Sequence, residues 1–90
     1  MIDYDLMVEK ETMEDVILYL VFSRKNGMPH PSMDRFFCLH NAENKYEAYN
    51  LKLIEETEKL LASGSLVLGY KKGPNWKEPK FVTEKRYGIE

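Results

Sequence analysis

From Asn44 to Gly64 the chain reads NKYEAYNLKLIEETEKLLASG, and Tyr46, Tyr49, Leu53, Leu60 and Leu61 recur at spacings of three, four and seven. That is one stripe of a helix with 3.6 residues per turn. Asn44 followed three residues later by Glu47 reads as a capping box with Asn at the cap. Gly64 suits the left-handed residue at which helices commonly end. The pattern therefore predicts a long central helix over residues 44–64. A second segment, VILYLVF from Val16 to Phe22, is apolar on every side, so as a helix it must be the most buried element. Its β-branched and aromatic residues also favour a strand. Helix is preferred because Thr12, Glu14 and Asp15 cap and charge its start, while Arg24 and Lys25 suit its negative end before Asn26-Gly27.

The flanking segments are shorter. Ile2, Tyr4, Leu6 and Val8 alternate with Asp3 and Asp5, a period of two that fits an edge strand, or else an ordered acidic arm, over residues 1–11. Gly27, Pro29 and Pro31 enforce a loop. Ser32 then starts a short helix through Leu39, with Met33, Phe36, Phe37 and, at its end, Leu39 as the candidates to turn inward, and a turn at residues 40–43 behind it. After Gly64, Leu66, Leu68 and Tyr70 alternate onto one face, Gly73-Pro74-Asn75 supplies turn chemistry, and KFVTEK reads as the returning strand of a hairpin, with Pro79 at its edge. The expected fold is a single α+β domain over residues 1–90, with three helices followed by a β-hairpin.

Composition narrows the class of function. Ninety residues bury only a modest core, which makes a large enclosed active site improbable, and no apolar run approaches a membrane span. The formal net charge of −2 conceals a gradient. The first fifteen residues carry six carboxylates and one lysine, a net of −5, whereas residues 65–90 carry six cations and three carboxylates, a net of +3. The acidic opening has no basic, apolar leader pattern, and the single Cys38 cannot form an internal disulfide, so a reducing cytoplasm is the expected setting.

The text LLASGSLVLGYKKGPNWKEPKFVTEKRYG, taken with the helices ahead of it, resembles a winged helix-turn-helix domain from about Thr12 to Ile89. The resemblance implies that the helix from Asn44 is the recognition helix and that Lys71–Lys80 form the wing. In DNA-binding members the former enters the major groove and the latter touches the backbone. This chain departs from that pattern: the would-be recognition helix sets Glu47, Glu55, Glu56 and Glu58 against Lys45, Lys52 and Lys59, with no arginine. Such a surface repels phosphates. Tyr46 and Asn50 near its start remain in reach of base edges, although Tyr46 and Tyr49 fit better as core or partner contacts. The wing is the stronger anion contact, with Lys71, Lys72, Lys77 and Lys80 around Trp76, a ring that either stacks on a base or folds back over the hairpin.

No catalytic constellation stands out. Cys38-Leu39-His40 pairs a thiol with an imidazole, but adjacency in sequence does not create catalytic geometry, and the expected roles are a small buried thiol and a half-exposed turn histidine. With His30 added, three ligands fall short of the usual four of a structural zinc site. Neither enzyme activity, metal nor cofactor is expected. The expectation is a protein-binding inhibitor of the immunity, antitoxin or phage-inhibitor class, which presents Glu9, Glu11, Glu14, Asp15, Glu55, Glu56 and Glu58 to a partner with a basic surface. The alternative is a regulator that holds double-stranded DNA through Tyr46, Asn50, Lys71, Lys72, Trp76, Lys77 and Lys80. No membrane partner is expected, and a homodimer stays open.

Overall fold

In the computed structural model, which describes residues 1–90, the apolar segment is helix α2 (Met13–Ser23), and the chain folds around it. Thr12 caps α2 as expected, its hydroxyl oxygen accepting from the Asp15 amide at 3.1 Å. Seven α2 residues, Met13 and Val16 through Val21, are buried, since a helix apolar on all sides needs cover on all sides. The carboxyl of Asp15 is pushed above the ordinary carboxylate range, first by burial and then by neighbouring Glu11.

The N-terminal segment corrects the expectation of a strand or arm: Tyr4–Lys10 is a helix, α1. Asp3 caps it by accepting from the Leu6 amide at 3.0 Å, Asp5 lies in its first turn and Lys10 in its last, all favourable to the helix dipole. The alternation of Ile2, Tyr4, Leu6 and Val8 masked a helical spacing in Tyr4, Met7 and Val8. Met7 and Val8 are the buried pair, whereas Leu6 is exposed. Helix α1 is also tied down from outside, because the Lys45 ammonium donates to the carbonyls of Val8 and Glu11 at 3.1 and 2.5 Å. The Asp3 amide donates to the Tyr87 carbonyl at 2.8 Å, joining the two ends of the chain.

Helix α3 (His30–Leu39) starts two residues ahead of Ser32, with Pro31 in its first turn, where a missing N–H costs nothing. It buries Met33 and Phe37, whereas Leu39, a candidate to turn inward, is exposed in the last turn. A single 3₁₀ turn, Ala42–Asn44, links it to α4 (Tyr49–Ala62). Asn44 therefore does not cap the central helix. Its amide and that of Tyr46 bond back to Asn41 and Ala42 within the turn, and the cap position falls to Ala48, which offers no side-chain bond. The far end behaves as expected: Gly64 has φ 78°, its amide bonds to Leu61 and that of Ser65 to Leu60, the paired closure of a Schellman motif. Inward, α4 presents Leu53, Thr57 and Leu60. Thr57 fills the gap in the apolar stripe by donating its hydroxyl to the Leu53 carbonyl at 2.9 Å.

The hairpin is smaller than expected and turns earlier. Strand β1 (Leu66–Val67) pairs antiparallel with β2 (Lys71–Lys72) in the register Leu66–Lys72 and Val67–Lys71. The reversal occurs at Leu68–Tyr70 around Gly69, φ 84°. Gly73 is instead needed for close approach. Its amide donates to Ser65 at 2.9 Å, and a Cβ there would collide with the Gly64 carbonyl. The segment KFVTEK is not a strand: Lys80–Thr83 forms the one-turn helix α5 behind Pro79. Phe81 and Val82, adjacent in sequence, are both buried, which a strand with alternating faces does not allow on a one-sided core. The result is five helices with a two-stranded hairpin, a mixed α+β fold.

Candidate interaction surfaces

The side of α4 turned away from the core carries Leu51, Glu55, Glu58 and Ala62 at i, i+4, i+7 and i+11, a single stripe along the helix. Leu51 is 63% exposed, and Ile54, on the flank of the stripe, is 44% exposed. Both lysines of α4 pair with its own carboxylates, which leaves the helix, with three glutamates and two lysines, a net charge of −1 and one carboxylate, Glu58, outside any ion pair. Lys59 pairs with Glu55 at 3.2 Å and Glu56 at 3.8 Å, and Lys52 pairs with Glu56 at 3.5 Å. These carboxylates raise the Lys59 ammonium above its ordinary value, the bond to Glu55 first. Glu58 is exposed and forms no ion pair.

The other acidic residues singled out from the sequence do not all join this face. Glu11 is turned to the C-terminal segment, where it accepts from the Tyr87 hydroxyl and lies 3.8 Å from Arg86. Burial and then Glu11 push the Tyr87 phenol up. Glu9 is exposed on α1, 4.0 Å from Lys10. Glu14 and Asp15 line a groove of about 810 Å³ that Lys77 and Lys80 also line. Of the seven, Glu55 and Glu58 share an open face with Leu51 and Ile54, and Glu9 lies near exposed Leu6 on α1.

The residues expected to contact DNA are dispersed. Tyr46 is half-buried, with the ammonium groups of Lys45 and Lys52 at 5.3 and 5.4 Å from its ring. Asn50 is exposed at the start of α4. Lys77 and Lys80 line the larger groove, and Lys80 lies 3.9 Å from Glu84. Trp76 folds back: its Nε1–H donates to the Leu18 carbonyl at 3.1 Å, and its ring stacks on Phe22 with centroids 5.6 Å apart and planes 13° apart. Lys72 caps that stack, 4.4 Å from the Trp76 centroid and 4.8 Å from that of Phe22.

The sequence assigned Arg24 and Lys25 to the end of α2 and Phe22 to its apolar run, with no sign that they meet the hairpin. The loop after α2 packs against the hairpin through the Met28 amide, which donates to the Tyr70 carbonyl at 3.3 Å. That contact places Arg24 and Lys25 with Lys71 and Lys72 around a groove of about 330 Å³, with Phe22 at its wall. Two cations immediately before Asn26-Gly27 were the local signal; their meeting with the hairpin is a tertiary event.

His30, Cys38 and His40 do not converge. Nδ1 of His30 lies 3.2 Å from the Tyr70 hydroxyl, and Nδ1 of His40 lies 2.8 Å from Asp5 between the rings of Tyr4 and Phe36. Cys38 is exposed, not the buried thiol expected, because α3 turns Met33 and Phe37 to the core and its last turn outward. No group of three or more His, Cys, Asp or Glu side chains is placed to hold a metal ion, and no helix is long and apolar enough to cross a membrane. No family model, curated protein or solved structure matches the chain.

Proposed function

We propose that this chain is a non-enzymatic protein-binding inhibitor of the immunity, antitoxin or phage-inhibitor class, and that it docks the outer face of α4 on a basic surface of its partner. The observation that carries this reading is that exposed Leu51 and Ile54 lie beside Glu55 and Glu58 on one helix, with Glu58 outside any ion pair. Apolar side chains provide a desolvated centre, while carboxylates steer and orient a cationic partner. A polyanion finds neither advantage there.

A winged-helix-like arrangement is part of the same proposal. Supporting it are the order α2, α3, turn, α4, hairpin and the backbone bond from the α2–α3 link to the hairpin. The α5 turn in place of a returning strand is a departure from the pattern. Paired capture tests the function. A tagged chain should retain a stoichiometric protein that L51D or E55K/E58K loses, with about tenfold or greater weakening for the charge reversal. Sub-micromolar, salt-sensitive binding of random duplex DNA, or a partner held equally by all three proteins, would reject the reading.

A further inference from the structure

We propose that the groove between the C-terminal end of α2 and the hairpin is a second binding site, for the backbone of a single-stranded nucleic acid. It goes beyond the α4 reading and shares no residue with that face. The four cations around it, Arg24, Lys25, Lys71 and Lys72, come from two distant parts of the chain. None of them has a carboxylate within 4 Å; Arg35, Lys45, Lys77 and Lys85 share that condition, but Arg24, Lys25, Lys71 and Lys72 are the ones that line one groove together. No carboxylate lines the groove at all. Four unpaired like charges brought together repel one another, and an anion spanning them relieves that repulsion.

The aromatic pair beside the cations selects among anions. Phe22 is 41% exposed although it ends the most buried helix of the fold, and its ring lies nearly parallel to Trp76, with the Lys72 ammonium above both. A flat, partly open ring next to phosphate-binding cations is a platform for an unpaired base, which every nucleotide offers without regard to sequence. A carboxylate-rich peptide would use the charges and leave the ring idle. In a duplex the bases are already stacked on one another, which leaves none free for the ring. The groove, at about 330 Å³, is of the size of one nucleotide, and four cations line it.

The experiment is fluorescence anisotropy of end-labelled dT12 titrated with the full chain across a range of salt. The expected dissociation constant at low salt is on the order of 10 µM, and log K should fall with log salt at a slope of about −2 to −3, corresponding to three or four phosphates. K71A/K72A should flatten that slope by about 1.4. F22A should weaken binding by about fivefold or more with its circular dichroism intact, while F22Y, which keeps the ring, should bind as the parent does. Because the site is separate, E55K/E58K should retain dT12 binding, so failure of either proposal leaves the other readable. The proposal is overturned if dT12 does not bind by about 1 mM, if a 12-base-pair duplex or polyglutamate binds as tightly as dT12, or if F22A binds as the parent does.

Discussion

Trp76 is the pin that holds the segment after the hairpin onto α2, and removing its ring measures how much of the fold depends on that pin. The half-buried indole covers roughly 100 Å² of apolar surface, about 2.5 kcal/mol at 25 cal/mol per Å². Stacking on Phe22 contributes about 0.5–1 kcal/mol more, and the Nε1–H bond to Leu18 about 0.5–1 kcal/mol net, since that carbonyl lies within a helix that already uses it. Some of the surface is re-covered by relaxation, so W76A should cost about 3 kcal/mol, which in a domain of this size lowers Tm by about 12–20 °C. W76F keeps the stack and loses the hydrogen bond, and should cost about 1 kcal/mol. Urea unfolding followed by far-ultraviolet circular dichroism reads both, because the fluorophore is the residue removed. A cycle with F22A should return a coupling of about 0.5–1.5 kcal/mol. A cost for W76A below about 1 kcal/mol together with no coupling to Phe22 would mean that the ring is free of α2, and the reasoning fails.

Three further outcomes follow from local geometry. G73A places a Cβ against the Gly64 carbonyl and should cost about 2 kcal/mol or more in urea unfolding, since both groups are backbone and neither can step aside; a neutral result would show that the hairpin is not seated on the end of α4. K45M removes the ammonium that closes the end of α1, and should raise amide exchange in residues 4–11 selectively, a local loss of about 1 kcal/mol. The Tyr19 phenol is pushed from 10.0 up to about 12 by burial first and then by Tyr4. Between those values the folded chain keeps a proton that the unfolded chain has lost, so stability falls as pH rises through this window, by up to about 1.4 kcal/mol per pH unit. Y19F should abolish that portion of the alkaline decline, and an unchanged decline would refute the assignment.

Helix α2, its Thr12 cap and the Gly64 stop were all legible in the sequence, because each depends on residues within a turn of one another. So was the inward stripe of α4 from Tyr49 onward, as a run of 3.6-residue spacing long enough to exclude a strand, although Tyr46 falls ahead of the helix. Short segments were not. Residues 4–10 satisfied a period of two and a helical spacing at once, and only the space beside α2, filled by Met7 and Val8, selected the helix. KFVTEK had strand propensity, but Phe81 and Val82 had to face the same core, which made it helical. Asn44 carried a sound capping signal, and the 3₁₀ turn ahead of α4 used its backbone elsewhere.

For the candidate sites, charge sign was readable along the chain and charge grouping was not. The acidity of α4 follows from its composition, yet whether a given glutamate is free depends on which lysine reaches it: Glu56 is held twice, Glu58 not at all. The wing lysines divide between two grooves, and the four cations that do meet include two from the far side of α2. Periodicity and capping act over distances of a few residues and are written in neighbouring letters. Which side chains end up 4 Å apart after the chain has closed on itself depends on packing around α2, and that information exists only once every element is in place.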